Sequence, residues 1–186
     1  MRVISGILKG KSIDFLKNSN TRPLKDSVRE NVFNILKHSN LIKVKIEKSN
    51  IFDLYSGIGS FGIECISRGA RKVTFVEQNL KACEILKSNL KNLSITDKSK
   101  IYNNKIEDIL AGNFKEKFNI FFLDPPFKDF DFYKNIELIR KKNIFTLNHL
   151  VIIHRDGKTK DNFEKFLTII KNTQYSRSRV IFGTFN

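Results

Sequence analysis

The chain has 186 residues, 40% of them hydrophobic, which is enough to bury one substantial core and one active site but hardly two. Its 34 basic and 19 acidic side chains leave a net charge of +15, which favours polyanionic partners, nucleic acid first, although a Lys-, Asn- and Ile-rich composition without Trp produces the same excess by drift. Two cysteines without Cys-x-x-Cys spacing, three scattered histidines, a polar start and no apolar run of membrane-spanning length argue against a zinc site or other metal, a disulfide framework, a signal peptide and a membrane span; the expectation is a cytoplasmic, monomeric protein.

Residues 1–22 read as a small β-hairpin extension, with short alternating runs broken at Gly6 and Gly10. The remainder, 23–186, reads as the main domain. Ser27-Val28-Arg29-Glu30 has the form of a capping box, and Val28, Val32, Ile35 and Leu36 follow at helical spacing. Beyond a charged stretch at 43–49, short apolar runs alternate with amphipathic ones. Strands are predicted at 51–54, 72–76, 100–102, 119–123 and 150–154, and helices at 60–68, 80–93, 106–110, 130–141 and 161–172. The tail at 176–185 reads as one or two strands, antiparallel at the sheet edge. This alternation predicts an α/β fold, a mostly parallel sheet covered on both faces.

Between the first strand and its helix, Gly57, Gly59 and Gly62 satisfy a G-x-G-x-x-G spacing, which brings backbone close to a ligand at a helix N-terminus. Glu77 ends the second strand, where its carboxylate can accept bonds from both ribose hydroxyls of a nucleoside cofactor. These features alone fit a nicotinamide enzyme, or a glycine turn that only packs strand on helix. Asp53 tilts the choice: a carboxylate there would attract the sulfonium and amino group of S-adenosylmethionine and repel a pyrophosphate.

The buried-type run 119–123 ends in Asp124-Pro125-Pro126-Phe127, and two prolines without N–H groups force a stiff exit from the sheet. By itself this is also an ordinary Asp-Pro turn with a core Phe. At the carboxyl end of a strand, on the ligand-binding edge, it suits a poor nucleophile such as an exocyclic base amine. Asp124 and the Pro125 carbonyl would accept the amine's hydrogen bonds, and Phe127 would stack on the base.

Together with Thr21-Arg22-Pro23 and the run from Asp26 to Asn34, these segments make the chain resemble the bacterial small-subunit (16S) ribosomal RNA guanine-N2 methyltransferases of the RsmD type, over nearly its whole length. The resemblance implies a Rossmann-like class I S-adenosylmethionine-dependent methyltransferase fold with a seven-stranded sheet. The implied activity is methylation of one guanine amine in 16S rRNA, within a small ribosomal subunit or an assembly particle. It further implies Asp53, Tyr55, Gly57, Gly59 and Glu77 at the cofactor, joined by Asn104, Lys105 and Ile106 on the adenine side. Asp124, Pro125, Pro126 and Phe127 would be catalytic, and Lys9, Lys11, Arg22, Arg29 and Phe127 would meet the RNA. Lys105 departs from the family's usual Asp or Asn, Leu24 from its Thr, and His154 from the acidic residue common after the fifth strand; all three histidines are read as structural or exposed. A DNA amine methyltransferase, a nicotinamide oxidoreductase and an RNA-binding factor without catalysis are the competing readings.

Overall fold

The computed structural model describes residues 1–15 and 24–186. Seven strands form one sheet: β1 (Asn50–Leu54), β2 (Lys72–Val76), β3 (Ser99–Tyr102), β4 (Phe118–Leu123), β5 (Phe145–Asp156), β6 (Leu167–Tyr175) and β7 (Ser178–Phe185). Their order is β3-β2-β1-β4-β5-β7-β6; β1 to β5 run parallel, and β7 is antiparallel to both of its neighbours. The helices are α1 (Asp26–His38), α2 (Ser60–Ser67), α3 (Leu80–Asn92), α4 (Ile106–Ala111) and α5 (Phe132–Lys142).

The central strands are apolar on successive residues because both faces are covered. On one face, Ile51, Val73, Phe75, Ile120 and Phe122 pack with Val28, Val32 and Phe33 of α1, Ile63 of α2 and Leu86 of α3. On the other, Phe52, Leu54, Phe121, Leu123 and Val151 pack with Leu110 of α4 and Ile136 and Ile139 of α5. Three stacked rings, Phe33 on Phe61 at 5.1 Å and Phe61 on Phe122 at 3.9 Å, tie α1 through α2 to the sheet.

Strand order reverses between β1 and β4. The chain leaving β1 crosses by α2 to one side, and the chain leaving β4 crosses by α5 to the other, so a crevice opens above their carboxyl ends. Leu54 pairs with Leu123 there, which sets the glycine turn and Asp124 side by side.

Two local expectations are corrected. The helix expected at 161–172 is absent: Leu167–Tyr175 is an edge strand paired along β7. A short apolar run such as Leu-Thr-Ile-Ile does not distinguish the two periods, and its β-branched residues suit the free edge that β7 leaves open. The capping box does not form; α1 starts at Asp26 after Lys25, with no side-chain cap, so Ser27 lies inside the helix. The N-terminal segment pairs around a turn as a very short hairpin, through the antiparallel bridge Arg2↔Ser12 and backbone bonds from Val3 N to Lys11 O (3.0 Å), Gly10 N to Val3 O (2.9 Å) and Ile13 N to Met1 O (2.9 Å). The boundary placed at 22/23 falls outside the described residues.

That segment lies along α2. Buried Glu64 accepts bonds from Ile4 N (2.8 Å), Ser5 N (2.9 Å) and Arg68 Nε (2.8 Å), and the Ser67 hydroxyl donates to the Ser5 carbonyl. All eight residues of α2 are consequently buried. No described helix is long and apolar enough to cross a membrane.

Candidate active site

The turn after β1 is set by backbone geometry. Tyr55, Gly57 and Gly59 all have positive φ (61°, 54° and 84°), and the Ser56 hydroxyl and amide both donate to the Val76 carbonyl. Gly57 has open space beside it, whereas a Cβ on Gly59 would fall 2.3 Å from Leu86 and one on Gly62 2.3 Å from Phe75. Gly57 is therefore free for close approach by a ligand, while Gly59 and Gly62 serve helix packing.

A cleft of about 640 Å³ lies over the switch point. It is lined by Asp53, Tyr55, Gly57, Glu77, Asn104 and Ile106 on one side and by Asp124, Pro125, Pro126 and Phe127 on the other. Gly59 lies beneath it as the N-cap of α2, and Lys105 is exposed as the N-cap of α4, its side chain outside the lining. Lys9 and Lys11 are exposed on the N-terminal turn, away from the cleft lining, and Arg22 falls outside the described residues.

Arg29 is corrected: it is not exposed to meet RNA. It is fully buried, donating to the Arg2 carbonyl (2.6 Å) and to Asp26 (3.0 Å), with Met1 Sδ at 3.0 Å. Burial lowers its pKa, and the nearby carboxylates of Asp26 and Glu64 oppose that shift. Its work is to clasp the N-terminus to α1.

Among the carboxylates that line the cleft, Asp53, Glu77 and Asp124 stand at the ends of β1, β2 and β4. Glu77 accepts from Gly57 N and Asn79 N, each at 2.7 Å, so one oxygen is anchored on each side and each keeps a lone pair for a hydroxyl donor. Asp53 is 1% exposed; its Oδ2 accepts from Gly62 N at 3.0 Å, and its Oδ1 is buried without a partner. Burial pushes the Asp53 carboxyl well above its ordinary range; the Gly62 bond opposes this, and repulsion from Asp124 and Glu77 adds to it. An orphaned acceptor in a field of three acids fits a ligand carrying a positive charge and N–H donors. Opposite, Asn135 Nδ2 donates to the Tyr55 hydroxyl at 2.9 Å, and burial raises the pKa of that phenol.

Asp124 stands at the end of β4, and the register Leu123↔Ile153 places β5 residue 154 beside it. His154 Nδ1 lies 2.7 Å from Asp124 Oδ1. His154, expected to be structural or exposed, is buried and lines the cleft. The next residue, Arg155, carries no motif in the sequence. Fully buried, it donates to the Pro126 and Phe127 carbonyls (3.2 Å each) and to Asp161 (3.0 Å), with its guanidinium 4.3 Å from the Phe132 ring centroid. Burial alone would raise the Asp161 carboxyl, but bonds from Thr159, Arg155 and Tyr133 bring it below its ordinary value. The exit from β4 is thus fixed by prolines within and an arginine behind. Phe127, 41% exposed, and Phe130, 70% exposed, stand beyond it. Only the position of 154 and 155 at the end of a predicted strand could have drawn notice to them.

A seven-stranded sheet of this order, with a glycine turn, an acid ending the second strand and an Asp-Pro-Pro-Phe exit around its switch point, defines a methyltransferase of the Rossmann-like class. An Escherichia coli protein solved as a candidate methyltransferase shares the fold at a TM-score of 0.85 and 22% identity, covering 100% of this chain and 98% of that one. The chain belongs to the family described as Conserved hypothetical protein 95, whose model matches residues 1–184. Its curated relatives include a Bacillus subtilis protein described as a candidate rRNA methyltransferase, 34% identical over 84% of this chain and 83% of that protein. Another is ribosomal RNA small subunit methyltransferase D of Buchnera aphidicola subsp. Baizongia pistaciae, 36% identical over 84% of this chain and 76% of that protein.

Proposed function

We propose that this protein transfers a methyl group from S-adenosylmethionine to the exocyclic N2 amine of a guanine in 16S ribosomal RNA. The observation that carries the reading is the placement of Asp53, Glu77 and Asp124 around one cleft at the switch point, with Phe127 at its mouth. The relatives named for small-subunit rRNA methylation support the substrate class.

When bound, the cofactor supplies an electrophilic methyl on a sulfonium. Glu77 would hold the ribose hydroxyls through its remaining lone pairs, and Asp53 Oδ1 would accept from the amino group of the methionyl moiety. Asn104 and the backbone N–H of Ile106, in the first turn of α4, are the groups near the adenine side; Lys105 contributes only its backbone. Asp124 and the Pro125 carbonyl would accept the two amine hydrogens, holding the nitrogen lone pair in line with the methyl carbon. A carboxylate beside the amine also offsets the positive charge that develops on nitrogen as the bond forms; the surplus proton then leaves to solvent. Phe127 would stack on the base, worth about 1–3 kcal/mol.

The test is transfer of labelled methyl from S-adenosylmethionine to small subunits, naked 16S rRNA and duplex DNA, by wild type and Asp124→Ala. Label on the guanine N2 of rRNA, lost in the variant, is the expected result. Label on DNA alone, label unchanged by the substitution, or tight binding of NADH in place of S-adenosylmethionine would overturn the reading.

A further inference from the structure

We propose that His154 is a positioning residue for methyl transfer, holding the Asp124 carboxylate and the Phe127 ring in their working orientations; this rests on the function proposed above. Three observations converge on it. Its Nδ1 is 2.7 Å from Asp124 Oδ1, and its side chain is 8% exposed where Asp124 is 21% exposed. Its ring meets Phe127 edge to face, with centroids 5.8 Å apart and planes at 70°. Its Nε2 is buried and has no partner among the described residues.

The contact with Asp124 selects the tautomer. A proton on Nε2 would leave a buried donor unmatched and set two lone pairs, on Nδ1 and Oδ1, against each other at 2.7 Å. With the proton on Nδ1 the ring donates to Asp124 Oδ1, and Nε2 is left as an acceptor.

The consequence for the reaction is geometric. A carboxylate at a strand end rotates about its terminal torsion with little resistance. With Oδ1 engaged by the Nδ1–H group, Oδ2 is the oxygen left for the substrate amine, and the plane of the carboxylate is set. Phe127 otherwise projects from the Pro-Pro turn with 41% of its surface exposed, and the imidazole edge gives it a fixed neighbour. One side chain therefore couples the group that aligns the amine to the ring that supports the base. β5 supplies both fastenings in sequence: His154 fixes the Asp124 side chain, and Arg155 fixes the main chain of the same turn.

The experiment measures steady-state methylation of small subunits by full-length His154→Leu, His154→Asn and Asp124→Ala, with S-adenosylmethionine affinity and thermal unfolding as controls on folding. Leu fills the space without a donor, and Asn restores an N–H near the place of Nδ1. For His154→Leu, kcat should fall about 10- to 100-fold, the scale of a reacting group displaced by about 1 Å, with cofactor Kd and rRNA KM held. His154→Asn should recover most of that loss. Wild-type kcat in His154→Leu, a loss carried wholly by KM, or equal impairment of the Leu and Asn variants would overturn the role of His154. Activity that survives Asp124→Ala would instead overturn the underlying reading of the site.

Discussion

Asp53 makes opposite demands on stability and on binding, and Asp53→Asn separates them. The carboxylate is 1% exposed, has one backbone donor at 3.0 Å, and leaves Oδ1 buried without a partner. A buried polar group without its bond costs about 1–3 kcal/mol, and a charged one more. The amide keeps the shape and one unmatched polar atom but removes the charge, so a gain of about 1–2 kcal/mol is expected, or about 2–8 °C in Tm for a chain of this size. The pH dependence has a definite sign. Because burial holds the Asp53 carboxyl above its ordinary range, the folded ligand-free protein retains that proton more tightly than the unfolded chain. The group therefore opposes folding increasingly as pH rises past the unfolded carboxylate range of about 4. The Tm advantage of the Asn variant should be largest near neutrality and shrink on acidification. S-Adenosylmethionine should meanwhile bind less tightly, since losing one partner of a desolvated charge pair costs at least about 2 kcal/mol, about 30-fold in Kd. Calorimetric titration and thermal unfolding from pH 4 to 8 read both quantities. A lower Tm with unchanged cofactor affinity would refute the reasoning.

Arg155→Met keeps the stem against Phe132 but removes the guanidinium bonds to the Pro126 and Phe127 carbonyls and the buried ion pair with Asp161, which keeps only Thr159 and Tyr133 as close donors; about 3–5 kcal/mol of stability should be lost in denaturant unfolding, with kcat reduced beyond any change in cofactor affinity. Glu64→Gln replaces one of two acceptor oxygens facing the Ile4 and Ser5 amides with a donor; a loss of about 1–3 kcal/mol is expected, with faster hydrogen exchange confined first to residues 1–13. Gly62→Ala drives a methyl into Phe75 and Val73 and should cost about 1–3 kcal/mol with cofactor affinity little changed, whereas Gly57→Ala meets no described atom but places a side chain at positive φ, so it should cost about 1 kcal/mol and also weaken cofactor binding; paired thermal melts and titrations distinguish them.

Much of the fold is legible in the chain because its strands are short, apolar and flanked by amphipathic helices, a pattern fixed by local periodicity. The glycine turn, Glu77 and the Asp-Pro-Pro-Phe exit are likewise local, each a few residues whose backbone restrictions or charge point to one use. By contrast, Leu167–Tyr175 reads either way on its own; the edge of β7, reached only after the sheet assembles, decides that it is a strand. Arg29 looks in sequence like a cation free to meet phosphate, and only the packing of the N-terminus over α1 and α2 reveals that it is buried.

The same division runs through the active site. The sequence by itself determined which chemical groups are present and at which strand ends they stand, because helix and strand periods and the conformational limits of Gly and Pro act over a few residues. The tertiary structure decided their working partners: His154 on Asp124 across thirty residues, Arg155 on the turn behind it, and the unpaired oxygen of Asp53. Hydrogen bonds and desolvation act through space, and the parallel register of β4 with β5 is what brings those atoms within reach.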